Sequence, residues 1–544
     1  MFRMANNEPH QGGNTMNFFE ELFAKKKEPQ RPPIPVQKDY QENINLIKET
    51  LVNCDDVIYR EFYVGHKQNM KFAAIYAEGL VNTTLLNEYI LKNLMILARM
   101  AELDVHTLRQ KIYEIIKDST LSVSDLKEID DMNIAIDMLL SGDTVLILDK
   151  WDKILVIASK GWPTRGITEP STETVIRGPS EGFSETLRVN TTLVRRRIRD
   201  PKFKIKQMQI GQRSKTDIAI LFIEETVNKD VLKMVKERLD QIDIDAILES
   251  GYIEQLIEDQ WRSPFPQIQH TQRPDVVSAA LYEGRIAIVV DNTPFALVVP
   301  STIVTLLQSS EDYNERFFIA SAIRMLRFLS MTVSLLLPSM YIAITSYHPG
   351  MLPTDLALYV AGSRMNVPFP AFIEAFLMEA ALELLREAGI RLPGPIGATI
   401  GIVGGLVLGQ AAVEAGIVSP LMVIVVALTA MAAYASPSYS LAISFRLLRF
   451  ILMGFAGFLG LYGVILATLM ILIHLCNLKS FGVPYLSPFV GSSTTLKDFK
   501  DVFIRVPLHM MKERPQFLHR SDSDRLKQMR TGIKIEEGDD GAQK

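Results

Sequence analysis

The sequence predicts a soluble α/β N-terminal region of two similar subdomains, followed by an all-α polytopic membrane domain. Three observations carry this expectation. Blocks of the first half recur at a fixed offset. Charge is concentrated before Arg327, whereas residues 328–478 are nearly all apolar. That apolar part is broken by short polar links into several stretches, each near the roughly 20 residues that cross a bilayer as a helix. The chain of 544 residues is too long for one small domain, and 58 Lys plus Arg against 62 Asp plus Glu give a formal charge of −4. No basic excess points to nucleic acid. With only Cys54 and Cys476 a disulfide framework is excluded. Eight histidines without an HExxH or clustered Cys/His spacing give no reason to expect a structural metal or a cofactor.

Residues 1–40 lack the apolar run of a signal peptide and carry Lys25 to Lys27 and four prolines between Pro29 and Pro35, the composition of a disordered arm. Residues 57–86 then correspond without gaps to 203–232, pairing Gly65 with Gly211, Ala73 with Ala219, Glu78 with Glu224 and Val81-Asn82 with Val227-Asn228. Both blocks read strand, turn, strand, helix, and both helices open at an asparagine suited to capping. The correspondence resumes between 141–159 and 283–301. Residues 286–307 alone resemble a membrane helix, but the matching copy carries Asp149, Lys150, Asp152 and Lys153 at its centre. A second β-hairpin over 284–299 is therefore expected, turning at Asp291-Asn292-Thr293-Pro294. The subdomains fall at about 41–170 and 171–310.

The membrane domain is expected over 311–478. A basic amphipathic helix from Tyr313 runs into a first span, Phe328 to Tyr347, with Pro338 as a kink. Arg316, Arg324 and Arg327 before it place the N-domain on the cytosolic side. Further spans are expected at 370–387, 395–415, 421–435 and 450–476, four to six in all. Gly397, Gly401, Gly405 and Gly409 recur every four residues and suit close helix packing. The opposing stripe of Thr399, Val403, Leu406, Gln410 and Glu414 suits a pore gated by dewetting, and equally an ordinary buried helix. Glu374, Glu379, Glu383 and Glu387 lie on one helix: a cation path if it spans, a solvated face if it lies in the interface. A second row, Gly454, Gly457, Gly460 and Gly463, reads as packing. Residues 479–544 form a cytosolic tail, partly disordered, whose basic residues favour the inside.

Two motifs offer chemistry only on paper. Gly178-Pro179-Ser180-Glu181-Gly182 matches a nucleophile elbow after a candidate strand, 173–177, yet His270 is the only histidine between it and the membrane region. A helix starting near Pro179 explains the residues more simply. GQRSKT at Gly211 lacks the second glycine of a phosphate loop. No enzyme activity is expected. The basic run 188–206, with Arg195-Arg196-Arg197, reads as a solvated helix face, or as a contact for anionic lipid or an acidic neighbouring subunit.

Seven ordered blocks resemble the A subunit of the GerA family of spore germinant receptors: RGPSEGF at 177, VRRRIRDP at 194, GYIEQLIEDQWRSPFPQ at 251, VPFPAFIEA at 367, LREAGIRLP at 385, GIVGGLVLGQAAVEAGIVSP at 401 and KSFGVPYLSPF at 479. The resemblance covers roughly residues 41–490. One departure is Gln272, where relatives often carry an acid. The resemblance implies a protein of the bacterial endospore inner membrane that acts with a transporter-like B subunit, which binds the nutrient, and a lipoprotein C subunit. It implies a homo-oligomer forming an ion-conducting pore. The paralogue encoded with the dipicolinic-acid transport operon shares the same blocks. An ion-coupled secondary transporter would need inverted repeats, and the sequence offers none.

Overall fold

The computed structural model describes residues 32–64, 70–84, 126–162, 175–392, 409–491 and 498–511, with scattered positions between them. They fall into two compact bodies. One is drawn from the described residues of Met1–Glu49, Tyr59–Tyr76 and Thr83–Ser159, the other from those of Thr50–Ile58, Ala77–Asn82 and Lys160–Lys544.

In the first body α1 (Tyr40–Thr50) precedes β1 (Val57–Val64), β2 (Met70–Ala77), β3 (Leu126–Ile129), α2 (Met132–Leu140), β4 (Thr144–Leu148) and β5 (Ile154–Ile157), with the strands in the order β1-β2-β4-β5-β3. The end of the N-terminal arm is not free. Val36 is buried, its N–H donates to the Asp130 carbonyl, and the Met132 N–H donates to the Ile34 carbonyl. The Val36 side chain docks while the backbone at 34–36 pairs with that at 130–132. Residues 1–31 lie outside the described residues.

The second body opens with α3 (Leu187–Arg197), β6 (Phe203–Ile210), β7 (Thr216–Ile223), α4 (Lys229–Asp240), α5 (Ser250–Ile257), β8 (Gln269–Thr271), α6 (Pro274–Tyr282), β9 (Ile286–Val290) and β10 (Ala296–Val299). Its sheet order, β6-β7-β9-β10-β8, repeats the first. The strands equate at the offsets read from sequence: β1 with β6 and β2 with β7 at 146, β4 with β9 and β5 with β10 at 142. Asn228 caps α4, accepting the N–H groups of Asp230 and Val231; most of the corresponding first-copy helix lies outside the described residues. The hairpin over 284–299 is present, Ala296 facing Val289 and Val299 facing Ile286. It imitates a membrane segment because both faces are covered. Ile286, Ile288 and Val290 pack among core residues of α4 and α5, while Ala287 and Val289 pack among those of α3 and α6. Among the described residues of 173–177 there is no strand, and the next helix starts at Leu187, not near Pro179, so they do not form the strand–turn–helix of a nucleophile elbow.

After α7 (Ile303–Leu307) and α8 (Glu311–Asn314) the same body continues as helices: α9 (Phe317–Tyr347), α10 (Thr354–Arg364), α11 (Ala371–Arg391), a helical stretch over 409–414, α12 (Pro420–Ala433) and α13 (Tyr439–Asn477). The amphipathic segment and first span are one helix of 31 residues, with Pro338 inside it. α13 is a hairpin rather than a rod. Phe265 packs against both Phe445 and His474, at ring centroid distances of 6.1 and 6.0 Å. An unbroken helix would set those two residues roughly 43 Å apart. The reversal is at Gly460, which has φ 62° and ψ −142°, a conformation that glycine adopts without cost.

Side-chain pairs fix how the helices run. Tyr347, at the end of α9, donates to the Gly457 carbonyl and lies against Gly460. α11 then returns, with Phe372 near Phe458, Phe376 on Phe450, and Glu383 beside Arg446. Gly404 lies against Leu385, Gly416 approaches the Asn366 carbonyl, and Ser419 meets Glu374, so residues 404–416 run outward again. α12 returns to place Tyr434 against Arg386. With the two arms of α13, 439–459 and 461–477, this makes six antiparallel passages among the described residues, the first beginning and the last ending on the α/β side. The two long helices are also apolar enough to cross a membrane.

Candidate functional site

Within this helical bundle lies a ladder of charged pairs, buried at Glu379–Arg449 and half-exposed at Glu383. α11 presents Glu379 and Glu383 one turn apart, and the first arm of α13 presents Arg446 and Arg449 at a spacing of three, so the two pairs meet rung by rung. Arg449 Nη1 donates to Glu379 Oε2 at 2.7 Å, Nε to the Ser334 carbonyl at 2.7 Å and Nη2 to Ser334 Oγ at 2.9 Å. Arg446 Nη1 donates to Glu383 Oε1 at 3.1 Å, and Arg386 holds the other oxygen. Glu374, fully buried, accepts the N–H and hydroxyl of Ser419 and lies 3.5 Å from Arg364 Nε. Isolated ions in a low-dielectric bundle are costly, and each is met here by a partner of opposite sign. One oxygen each of Glu374 and Glu379 is left without a hydrogen bond.

The expected site residues separate accordingly. Glu374, Glu379 and Glu383 come together with arginines, and Glu387 pairs along its own helix with Arg391. Thr399, Val403, Leu406, Gly397 and Gly401 lie outside the described residues. Gln410 and Glu414 are exposed and bonded to one another at 2.9 Å. Gly409 packs on Val423 of α12 and Gly404, outside the expected row, on Leu385 of α11, but Gly405 faces open space. In the second row Gly457 and Gly460 meet Phe372 and Tyr347. Reading the sequence for acids alone missed Arg446 and Arg449, although two arginines inside the apolar run 441–453 are themselves the signal of a buried ionic site.

A second charged cluster joins the bundle to the α/β part. Asp312, buried, accepts from Arg324 and Arg327, and Arg324 also reaches Asp501 at 2.8 Å. Tyr313 donates to Asp501 at 2.6 Å; burial and that carboxylate push its hydroxyl well above the usual tyrosine range. Nearby, Ser263 bonds His474 Nε2 at 2.8 Å and Ser444 donates to the Pro264 carbonyl. Beyond α13, β11 (Lys479–Ser480) and β12 (Val483–Pro484) form a short antiparallel strap. Phe481 enters the core of the second sheet domain beneath Arg238, Tyr485 enters the helical core, and Ser480 Oγ bridges the Ser301 N–H and the Gln267 carbonyl. The start of the expected tail is thus docked, because its alternating apolar residues find two cores to enter.

The basic run faces solvent at Arg188, Arg199, Lys202 and Lys206, but its centre does not. Arg195 is buried, donating to both oxygens of Asp56 at 2.8 Å and to the Phe203 carbonyl, and Arg196 and Arg197 share Glu181. Arg273, also buried, holds the 173–179 segment through the carbonyls of Glu173 and Pro179. Burial lowers the Arg285 guanidinium to about 10. It raises Glu254 to about 7, helped by Glu258 and Glu249. Among the described residues no group of acidic, histidine and cysteine side chains is arranged to hold a metal.

Against known proteins, the profile described as Bacillus/Clostridium GerA spore germination protein matches residues 45–517. Spore germination protein KA of Bacillus subtilis (strain 168) is 43% identical over 493 residues, 91% of this chain and 89% of that protein. Spore germination protein GerLA of Bacillus cereus is 41% identical over 482 residues, 89% of this chain and 96% of that protein. The crystal structure of the N-terminal domain of the A subunit of the Bacillus megaterium spore germinant receptor GerK3 is 34% identical, covering 49% of this chain and 97% of that one with a TM-score of 0.38. A profile match over most of the length, with relatives of this similarity covered nearly end to end, establishes that the chain belongs to the GerA family of spore germination proteins.

Proposed function

We propose that the chain is the A subunit of a nutrient germinant receptor in the spore inner membrane, where copies assemble around an ion-conducting pore that triggers germination. A transporter-like B subunit and a lipoprotein C subunit complete the complex, with the α/β region on the cytosolic side. The observation that carries the pore reading is the helical stretch ending at Glu414. One chain leaves Gln410, Glu414 and the Gly405 face uncovered, and polar side chains on an apolar bundle find water most readily along a shared axis. On this reading Thr399, Val403, Leu406, Gln410 and Glu414 line the pore, with Val403 and Leu406 as its dewetting constriction. Gly397, Gly401, Gly405 and Gly409 let helices approach. The Glu379–Arg449 and Glu383–Arg446 pairs hold the closed bundle, so that a cation path through Glu374, Glu379 and Glu383 opens only if those pairs part.

The test is cation efflux from vesicles holding the assembled receptor. Val403→Ala and Leu406→Ala raise leakage without nutrient, and Gly405→Leu reduces assembly. Lower assembly from all three with no leak would assign the stripe to packing.

A further inference from the structure

The turn carrying Trp261 and Arg262 takes no part in the clusters above. The Ser263 N–H donates to the Gln260 carbonyl at 3.0 Å, which makes 261 and 262 the central residues of a tight turn. Its base is rigid: Gln267 accepts the Gln260 N–H at 2.9 Å and donates to the Gln260 carbonyl at 2.8 Å. Ser263 on His474 and Pro264 on Ser444 then hold the turn at the α/β-side ends of both arms of α13. Trp261 is nevertheless 75% exposed, with the Arg262 guanidinium 4.8 Å from its ring centroid. The other two tryptophans are covered, Trp151 by burial and Trp162 beneath Arg196.

A single exposed apolar residue needs no explanation; its placement does. At the same end of the bundle Tyr434 and Tyr439, which flank the α12–α13 link, are also exposed. Indole and phenol rings favour the level of the lipid headgroups, where the ring is apolar and its N–H or O–H is wet, and a guanidinium matches lipid phosphate.

We propose that the Trp261–Arg262 turn is a membrane-interface anchor, the indole seated near the glycerol level of the leaflet and Arg262 on a lipid phosphate. It pins the second α/β domain to the bilayer beside the helices that its own loop grips. This rests on the reading that the bundle spans the membrane. Lipid is favoured over a partner protein because the turn is continuous with the end of the bundle and shares that level with Tyr434 and Tyr439.

The test uses the full-length chain in phosphatidylcholine vesicles, with bromine placed either near the glycerol or deep in the acyl chains. Shallow bromines quench the tryptophan fluorescence more strongly than deep ones, and Trp261→Phe abolishes that difference while the chain still floats with alkali-washed vesicles. Absence of quenching by either lipid, in chains that remain embedded after the alkali wash, overturns the anchor and leaves the turn to a protein partner. If the chain is stripped by alkali, the spanning reading fails and the anchor falls with it.

Discussion

At the scale of single residues, buried charge sets the strongest expectations. Arg449→Ala strands the Glu379 carboxylate and the Ser334 carbonyl, and loss of one partner from a buried pair costs about 3–5 kcal/mol. Replacing both, Arg449→Met with Glu379→Met, costs much less than the sum of the single changes. Thermal midpoints of the detergent-extracted chain check this, and a double variant that loses the sum of the two single penalties would show that the pair carries no coupling. Glu254 gives the pH prediction. Its native pKa is raised to about 7 from an ordinary 4.5, so between those values the native state binds more protons than the unfolded one. Stability therefore falls as pH rises from about 4.5 to 7 and is level above. Glu254→Gln removes that slope and stabilises the chain at pH 8. The acids of this site were legible in sequence because carboxylates stand out in apolar helices. Their arginine partners were not, because Arg446 and Arg449 lie some 65 residues further along the chain and only the hairpin of α13 brings them back.

At the scale of elements, the β-hairpin 284–299 was legible because a charged copy of it exists elsewhere in the chain. The helical hairpin was not. The apolar pattern runs through Gly460 without a break, and a glycine every three residues reads as a packing groove. Gly460→Ala combines the roughly 1–3 kcal/mol strain of a backbone conformation that suits glycine with a Cβ only 2.8 Å from Tyr347 Cγ. It lowers the thermal midpoint, whereas Gly454→Ala, which meets nothing within 4 Å, does not. The strap was likewise invisible, since Phe481 and Tyr485 declare no partner in sequence. Phe481→Ala empties a core position and costs about 3–5 kcal/mol. In the arm, a chain beginning at residue 32 keeps wild-type stability, whereas one beginning at residue 38 loses the backbone bonds of Ile34 and Val36. Hydrogen exchange at β3 and α2 distinguishes the two.

At the scale of the whole molecule, the duplicated sheet domains and the division into α/β and apolar halves follow from repeat and charge pattern alone. The number of passages does not, because it depends on which short apolar runs reverse, and that is decided by contacts between distant residues. Six antiparallel passages return the chain to the α/β side, where the strap closes it. What one chain leaves open is the face of the 404–414 stretch bearing Gln410 and Glu414. The central claim is that copies close that face around a shared axis. In a chain with Cys54 and Cys476 replaced, Gln410→Cys or Glu414→Cys should give covalent dimers on mild oxidation in membranes, while Leu428→Cys, on an exposed apolar position of α12, should not. Dimers at 428 with none at 410 or 414 would contradict the account.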